Sequence, residues 1–294
     1  MDSHTARFAF VRKHPVMTFF VITFLIGYIA AIPLFFTRIS ALGLIAASSS
    51  SLGGIVTAAL YGKKEVKRLF ASLVQFRCGG LSYLCALLLP PTLVVGAILV
   101  NMLFGHPFPA FDVENWKLIL PMFVLSLIQA GLGEEMGWRG FALPHLVKKT
   151  RPLTAALIIG GVWACWHLPL YFFPGFIQHD VAQTSGFVVA FVIYSTFVVA
   201  ASVIFSWLYL RSRNSLIPAI LIHGMLNVCG WYFHYQDTHA YGGLTMLIAL
   251  SLFWVVAAVL VSVTSPIFRT QGAALFRRRL PQPSVREAAE QAQI

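Results

Sequence analysis

Charge is what this chain has least of. Only 11% of its 294 residues are Asp, Glu, Lys or Arg, and ten of those are acidic. A soluble domain carries about 25% charged residues, so the polar surface here is too small to cover one. Cysteine is sparse as well: there are four, with no CxxC pair. Cys85, Cys165 and Cys229 fall inside apolar runs and Cys78 just before one, which excludes a disulfide framework and reads as inert packing. There is no HExxH segment, no internal repeat, and no connection long enough to hold a soluble domain.

What is present instead is apolar. Hydrophobic residues make up 58% of the chain, Phe alone accounts for 25 positions, and the mean hydropathy is +0.79. Lipid is the solvent that suits this composition, and helices are the spanning structure that satisfies its own backbone groups. The expected fold class is all-α, a polytopic integral membrane protein. A span needs about 20 mostly apolar residues. Runs of that kind lie near 16–36, 41–61, 81–104, 117–143, 153–173, 185–210, 216–235 and 241–268, which predicts about eight transmembrane helices. The first run follows a basic segment but is too long for the apolar core of a signal peptide, so it reads as an uncleaved span. The second holds Ser48 to Ser51, Gly53 and Gly54, small residues that suit close helix packing. Residues 1–268 then form a single transmembrane domain, and the basic, Pro- and Gln-containing tail 269–294 reads as cytoplasmic and disordered.

The net charge of +11 invites a nucleic-acid reading, but its distribution points to the membrane. Three Lys and Arg precede the first run, five lie in the 62–80 connection and four in the region from the end of the fourth run to the fifth (Arg139, Lys148, Lys149 and Arg151). Two more follow the sixth run and five lie in the tail, leaving only Arg38 and Lys117 for the other side. By the positive-inside rule both termini are cytoplasmic, as an even number of spans requires. Asp112, Glu114, Asp180 and Asp237 then lie outside. The expected setting is a cell membrane, with the short loops pointing to a bacterial inner membrane. The partner surface is the bilayer and not nucleic acid.

Ionisable residues inside a span are costly and mark function. Three segments carry them. In Glu134-Glu135-Met136-Gly137-Trp138-Arg139, positions four apart share a helical face, so Glu135 can pair with Arg139. Glu134, rotated by about 100°, is left to face a cavity. In Trp163-Ala164-Cys165-Trp166-His167-Leu168-Pro169, Trp163 shares a face with His167, and Pro169 frees a nearby carbonyl that the imidazole or a water can satisfy. In His223-Gly224-Met225-Leu226-Asn227, His223 and Asn227 point into one region. Taken singly, each segment also reads as packing: a salt-bridged helix end, a hydrogen-bonded core histidine, a polar contact between helices. Depth joins them, because each lies about 15–24 Å of helix from its cytoplasmic charges. The expectation is one polar cavity, shared by Glu134, His167, His223 and Asn227 and open to the cytoplasmic side. The other histidines (His4, His14, His106, His145, His179, His234 and His239) fall in tails or near span ends, where solvated roles are expected.

In these motifs, their order and their spacing the chain resembles the CPBP intramembrane proteases, the CAAX protease and bacteriocin-processing (Abi) family. Its pattern is EExxxR, then an aromatic four residues before a His, then HxxxN, on three helices. Glu134, Glu135 and Arg139 fit the first element. Trp163 and His167 fit the second, where Phe is more usual at the aromatic position. His223 and Asn227 fit the third. The resemblance covers about 134–227 and puts a catalytic core at about 117–235. It implies an intramembrane endopeptidase, of glutamic or metallo type, acting on membrane-associated peptides or proteins. Glu134 and His167 would activate a water, His223 and Asn227 would stabilise the oxyanion, and Glu135, Arg139 and Trp163 would support the site. No cofactor is expected, although Glu134, His167 and His223 could ligate zinc with one open position. The alternatives are a transporter or proton relay using the same carboxylates, and a non-proteolytic immunity or scaffold protein.

Overall fold

A computed structural model describes residues 9–37, 39–106, 115–236, 244–264 and 267–268. Among them the regular structure is helical and no strand occurs. The tail 269–294, the charges Arg7, Arg38, Asp112, Glu114 and Asp237, His4 and His239, and the side chain of His234 lie outside this description.

Six helices are long and apolar enough to cross a membrane on their own. They include α1 (Pro15–Ala31, continued by a 3-10 turn to Phe35), α5 (Gly80–Met102) and α6 (Trp116–Leu146). The others are α7 (Pro152–Trp166, continued by a 3-10 turn over Leu168–Phe172), α9 (Phe187–Arg211) and α11 (Leu244–Val263). The second run forms α2 (Ser40–Ala47) and α3 (Ser49–Tyr61), a pair bent by 58° at Ser48, the geometry of a broken span or a re-entrant loop. The remaining apolar run forms α10 (Ile217–Gln236), a helix of 20 residues. The chain is thus a multi-pass membrane protein in which each of the eight apolar runs is a helical segment. Among the described residues six qualify as spans on their own, and seven if the bent pair is counted as one span. Two short helices, α4 (Lys63–Leu73) and α8 (Ile177–Ser185), connect the spans.

Burial identifies the centre of the bundle. α9 is buried continuously from Ala200 to Leu210 and packs against α7, α10 and α11, while α1 pairs with α3 and α5 with α10. Outward faces keep large apolar side chains exposed, as a lipid-facing surface requires: Leu25, Ile29, Leu88, Leu120, Val192 and Val259 are examples.

The fourth run departs most from an ordinary helix. Within α6 the backbone is α-helical over Ile119–Ser126, π-helical over Leu127–Leu132, α-helical over Gly133–Glu135 and π-helical again over Met136–Ala142. Such widened turns are rare and concentrate at functional sites. Glycines allow neighbours to seat against them. A Cβ on Gly137 would lie 2.2 Å from the Ser50 carbonyl oxygen, and one on Gly224 would lie 2.7 Å from Leu127 Cδ2. The serines after the bend do more than make room. Ser50 Oγ donates to the Glu134 carbonyl (3.1 Å) and Ser51 Oγ to the Leu132 carbonyl (2.5 Å). These hydroxyls serve backbone oxygens where the helix changes register, which lipid could not do.

Candidate active site

Glu134 and Glu135 stand between the two π-helical turns and are both buried, with Glu135 at 0% exposure. Their side chains meet different partners, as adjacent positions on a helix must. Glu135 Oε1 accepts from Arg139 (3.0 Å) and from His223 Nδ1 (2.8 Å). Arg139, also fully buried, lies over the rings of Trp163 (4.7 Å) and Phe205 (5.0 Å). Aromatic faces are what a guanidinium can use when carboxylate acceptors run out. Glu134 Oε2 accepts a hydrogen bond of 2.6 Å from Trp163 Nε1, and its Oε1 faces His223 Nε2 at 3.9 Å.

His223 therefore bridges the two carboxylates, with Nδ1 on Glu135 and Nε2 towards Glu134. The sequence placed His223 with Asn227 and did not anticipate this bridge. Nor did it give Trp163 a hydrogen bond to Glu134, since the aromatic was read as support.

His167 caps the C-terminus of α7, where Pro169 stops the helix. Its Nδ1 lies 2.8 Å from the Trp163 carbonyl. A carbonyl only accepts, so Nδ1 carries the proton and a neutral His167 presents a bare Nε2. The carbonyl deprived of a partner by Pro169 is that of Cys165, four residues earlier. It accepts from Tyr28 Oη at 2.8 Å, so the imidazole serves a different carbonyl from the one Pro169 frees.

All four residues expected at a shared site line one cavity of about 690 Å³: Glu134, His167 and His223 from the buried wall, Asn227 exposed to the opening. Trp163, Tyr28, Gln129, Gln178 and Tyr194 add polar groups to a lining that is mostly apolar. The Tyr194 ring lies 5.2 Å from that of His167. Gln178 and Tyr194 were not legible as site residues, because each occurs alone in its segment.

Among the described residues no three His, Cys, Asp or Glu side chains are grouped so as to hold a metal ion. His167 and His223 each have Nδ1 engaged, by a backbone carbonyl and a carboxylate, which leaves Nε2 as the nitrogen either could offer a ligand. The four cysteines are all free thiols.

Comparison with known proteins agrees with the motifs. Residues 115–229 match the family described as Type II CAAX prenyl endopeptidase Rce1-like. Among curated proteins, CAAX prenyl protease 2 of Methanococcus maripaludis is 27% identical over 184 residues, which is 62% of this chain. The match spans 65% of that relative's own length, just under two thirds. The family match, 115–229, includes all three motif-bearing segments.

Proposed function

We propose that the chain, whose residues 115–229 match the Rce1-like family, is an intramembrane endopeptidase of the CPBP, or CAAX-protease, kind. Its substrate class is a membrane-associated peptide or protein, and its nucleophile is a water activated by Glu134 and His167. The observation that carries this reading is the Glu134 carboxylate, buried, held by Trp163, facing His223, and lining a cavity large enough for a peptide segment.

In this reading Glu134 takes a proton from the water as the oxygen attacks the peptide carbonyl, and His167 Nε2 aligns that water. The proton then passes to the leaving amine. The oxyanion formed in the attack accepts from Asn227 and from His223. Donation by His223 Nε2 requires a proton on that nitrogen besides the one that Nδ1 shares with Glu135. Such donors act strongly where water is scarce. The catalytic core runs over about 117–235, and the chain sits in a cell membrane with both termini cytoplasmic. A zinc-assisted version of the same hydrolysis would use Glu134, His167 and His223, and would require them to close around a metal.

The test is a cleavage assay in liposomes, on substrates trapped with Glu134→Gln and identified by mass spectrometry. Wild type should cut them and the variant should not. Chelators should leave the rate unchanged, whereas loss restored by zinc would replace the bare-glutamate mechanism with the metal one. Trapped partners that are never cleaved by wild type would favour a scaffold over a protease.

A further inference from the structure

A second cavity, of about 500 Å³, lies away from the catalytic residues, where the α4–α5 connection meets the turn from α9 to α10. Three arginines line it: Arg77, Arg211 and Arg213. The walls are pinned together. The Leu216 amide donates to the Ser72 carbonyl (2.9 Å) and Ser215 Oγ to the Gln75 carbonyl (2.6 Å). Among the described residues, none of the three arginines takes part in a salt bridge.

Two of these charges have a local explanation. Arg211 and Arg213 lie at the C-terminus of α9, where the helix dipole favours cations. The third does not. Arg77 sits just ahead of Gly79, the N-cap of α5, and positive charge there opposes the dipole. Arg213 is costly in a different way. It occupies the residue after the C-cap of α9 at φ 56°, with the Asn214 amide bonded to the Tyr209 carbonyl (3.1 Å). That position of a Schellman turn is usually glycine, because a Cβ is strained in the left-handed region. An arginine is thus kept where glycine fits best, and another where its charge is repelled.

We propose that this pocket binds the headgroup phosphate of an anionic phospholipid. An anion among the three guanidiniums offsets the repulsion of Arg77 at the start of α5, and gives Arg213 a charged partner that accounts for an arginine standing where glycine fits best. The source is a lipid rather than a soluble phosphate because the pocket continues into an acyl path. Leu81 lines it, and Leu81, Leu84 and Leu88 are 54%, 55% and 56% exposed at helical spacing down α5. Val74 and Phe76, exposed on the preceding connection, flank it at the interface. Basic pockets between spans are known to take lipid headgroups in this manner. The inference is independent of proteolysis.

The full chain, purified in detergent, would be loaded with micelles of dioleoyl phosphatidylglycerol or dioleoyl phosphatidylcholine and analysed by native mass spectrometry. Wild type should retain one phosphatidylglycerol in preference to phosphatidylcholine. Arg77→Gln/Arg211→Gln/Arg213→Gln should lose that preference, by roughly fivefold for each arginine removed. The control Lys63→Gln/Lys64→Gln/Lys67→Gln removes the same charge from the exposed face of α4 and should keep it. Thermal melts check folding, and phosphatidylglycerol should raise the Tm of wild type and control only. Equal retention of both lipids by wild type overturns the proposal, as does equal loss in the lysine control. Displacement by millimolar inorganic phosphate would overturn the lipid assignment in favour of a soluble anion.

Discussion

At the scale of single residues, two adjacent glutamates are given opposite tasks by a rotation of one position. Glu135 accepts from Arg139 and His223 and has no exposure, so it works as a fixed counter-charge. Glu134 lines the cavity and is held by a single indole. Glu134→Gln keeps size and hydrogen bonding but removes the proton acceptor, so turnover should fall by about 10²–10⁴ with the fold intact. Glu135→Gln should act on stability first, because it strands a buried guanidinium beside a buried imidazole. Breaking such a pair costs about 3–5 kcal/mol, readable as a lowered Tm in detergent. Asn227→Ala should reduce kcat by about 10²–10³ if its amide meets the oxyanion, with little change in melting. A variant of Glu134 that cleaves at the wild-type rate would refute the mechanism; a Glu135 variant that melts like wild type would refute the division of labour.

At the scale of elements, the site depends on how α6 is held off ordinary helical geometry. The pairing of Glu135 with Arg139 was legible from a spacing of four, and survives in a widened turn because the partners still share a face. The π-helical turns themselves were not legible, since no propensity distinguishes them and tertiary contacts decide the register. The serines near the bend were read as small, which explains the close approach of α3, but their hydroxyl bonds to Leu132 and Glu134 depend on that same hidden register. Gly137→Ala tests the arrangement. Its Cβ would meet a backbone oxygen of Ser50 at 2.2 Å, so the helices must separate, with an expected loss of about 1–3 kcal/mol and of activity together. Ser50→Ala should not rescue it, because the backbone oxygen remains. Gly161→Ala on α7 meets nothing within 4 Å and should be neutral or stabilising by about 0.4–1 kcal/mol. From the other end, α4 clips the same segment: Arg68 bonds the Gly140 carbonyl (2.7 Å) and pairs with Glu65. Burial pushes the Glu65 carboxyl up, but the Arg68 hydrogen bond and charge, helped by His145 and Lys148, outweigh it and hold it below the usual range. A lowered folded pKa stabilises above the unfolded value and is lost as pH falls through the folded one. Melting temperature should therefore drop on acidification below the ordinary glutamate range, and Glu65→Gln should flatten that acid limb.

At the scale of the whole molecule, hydropathy located every apolar helix, but not the short connecting helices α4 and α8 or the bend at Ser48. Ionisable and small residues lower the apolar average of a run without saying how its backbone crosses. Orientation is carried by a different signal, the distribution of Lys and Arg, with 19 of 21 assigned to one side. The structure adds a geometric consistency to that assignment. Arg77 from one basic connection lines the same pocket as Arg211 and Arg213 from another, so those two connections share a side of the bundle. Arg68 likewise reaches Gly140 near the basic end of α6. If that side is cytoplasmic, a reporter fused after Gly62 and another fused after Gly272 should both read cytoplasmic, and one fused in the connection containing Asp112 should read external. Cysteines placed at Lys63 and Arg213 should then both escape an impermeant thiol reagent added outside whole cells, and both react with it on permeabilisation. Because the two basic connections are tied by hydrogen bonds through Ser72 and Gln75, they cannot report opposite sides in a folded protein. An external reading after Gly62 or after Gly272 would overturn the topology. In that topology the cavity runs from Glu134 towards Leu34, Phe173 and Met246, at the helix ends opposite the basic connections, so the expected opening to the cytoplasmic side is not what the lining shows.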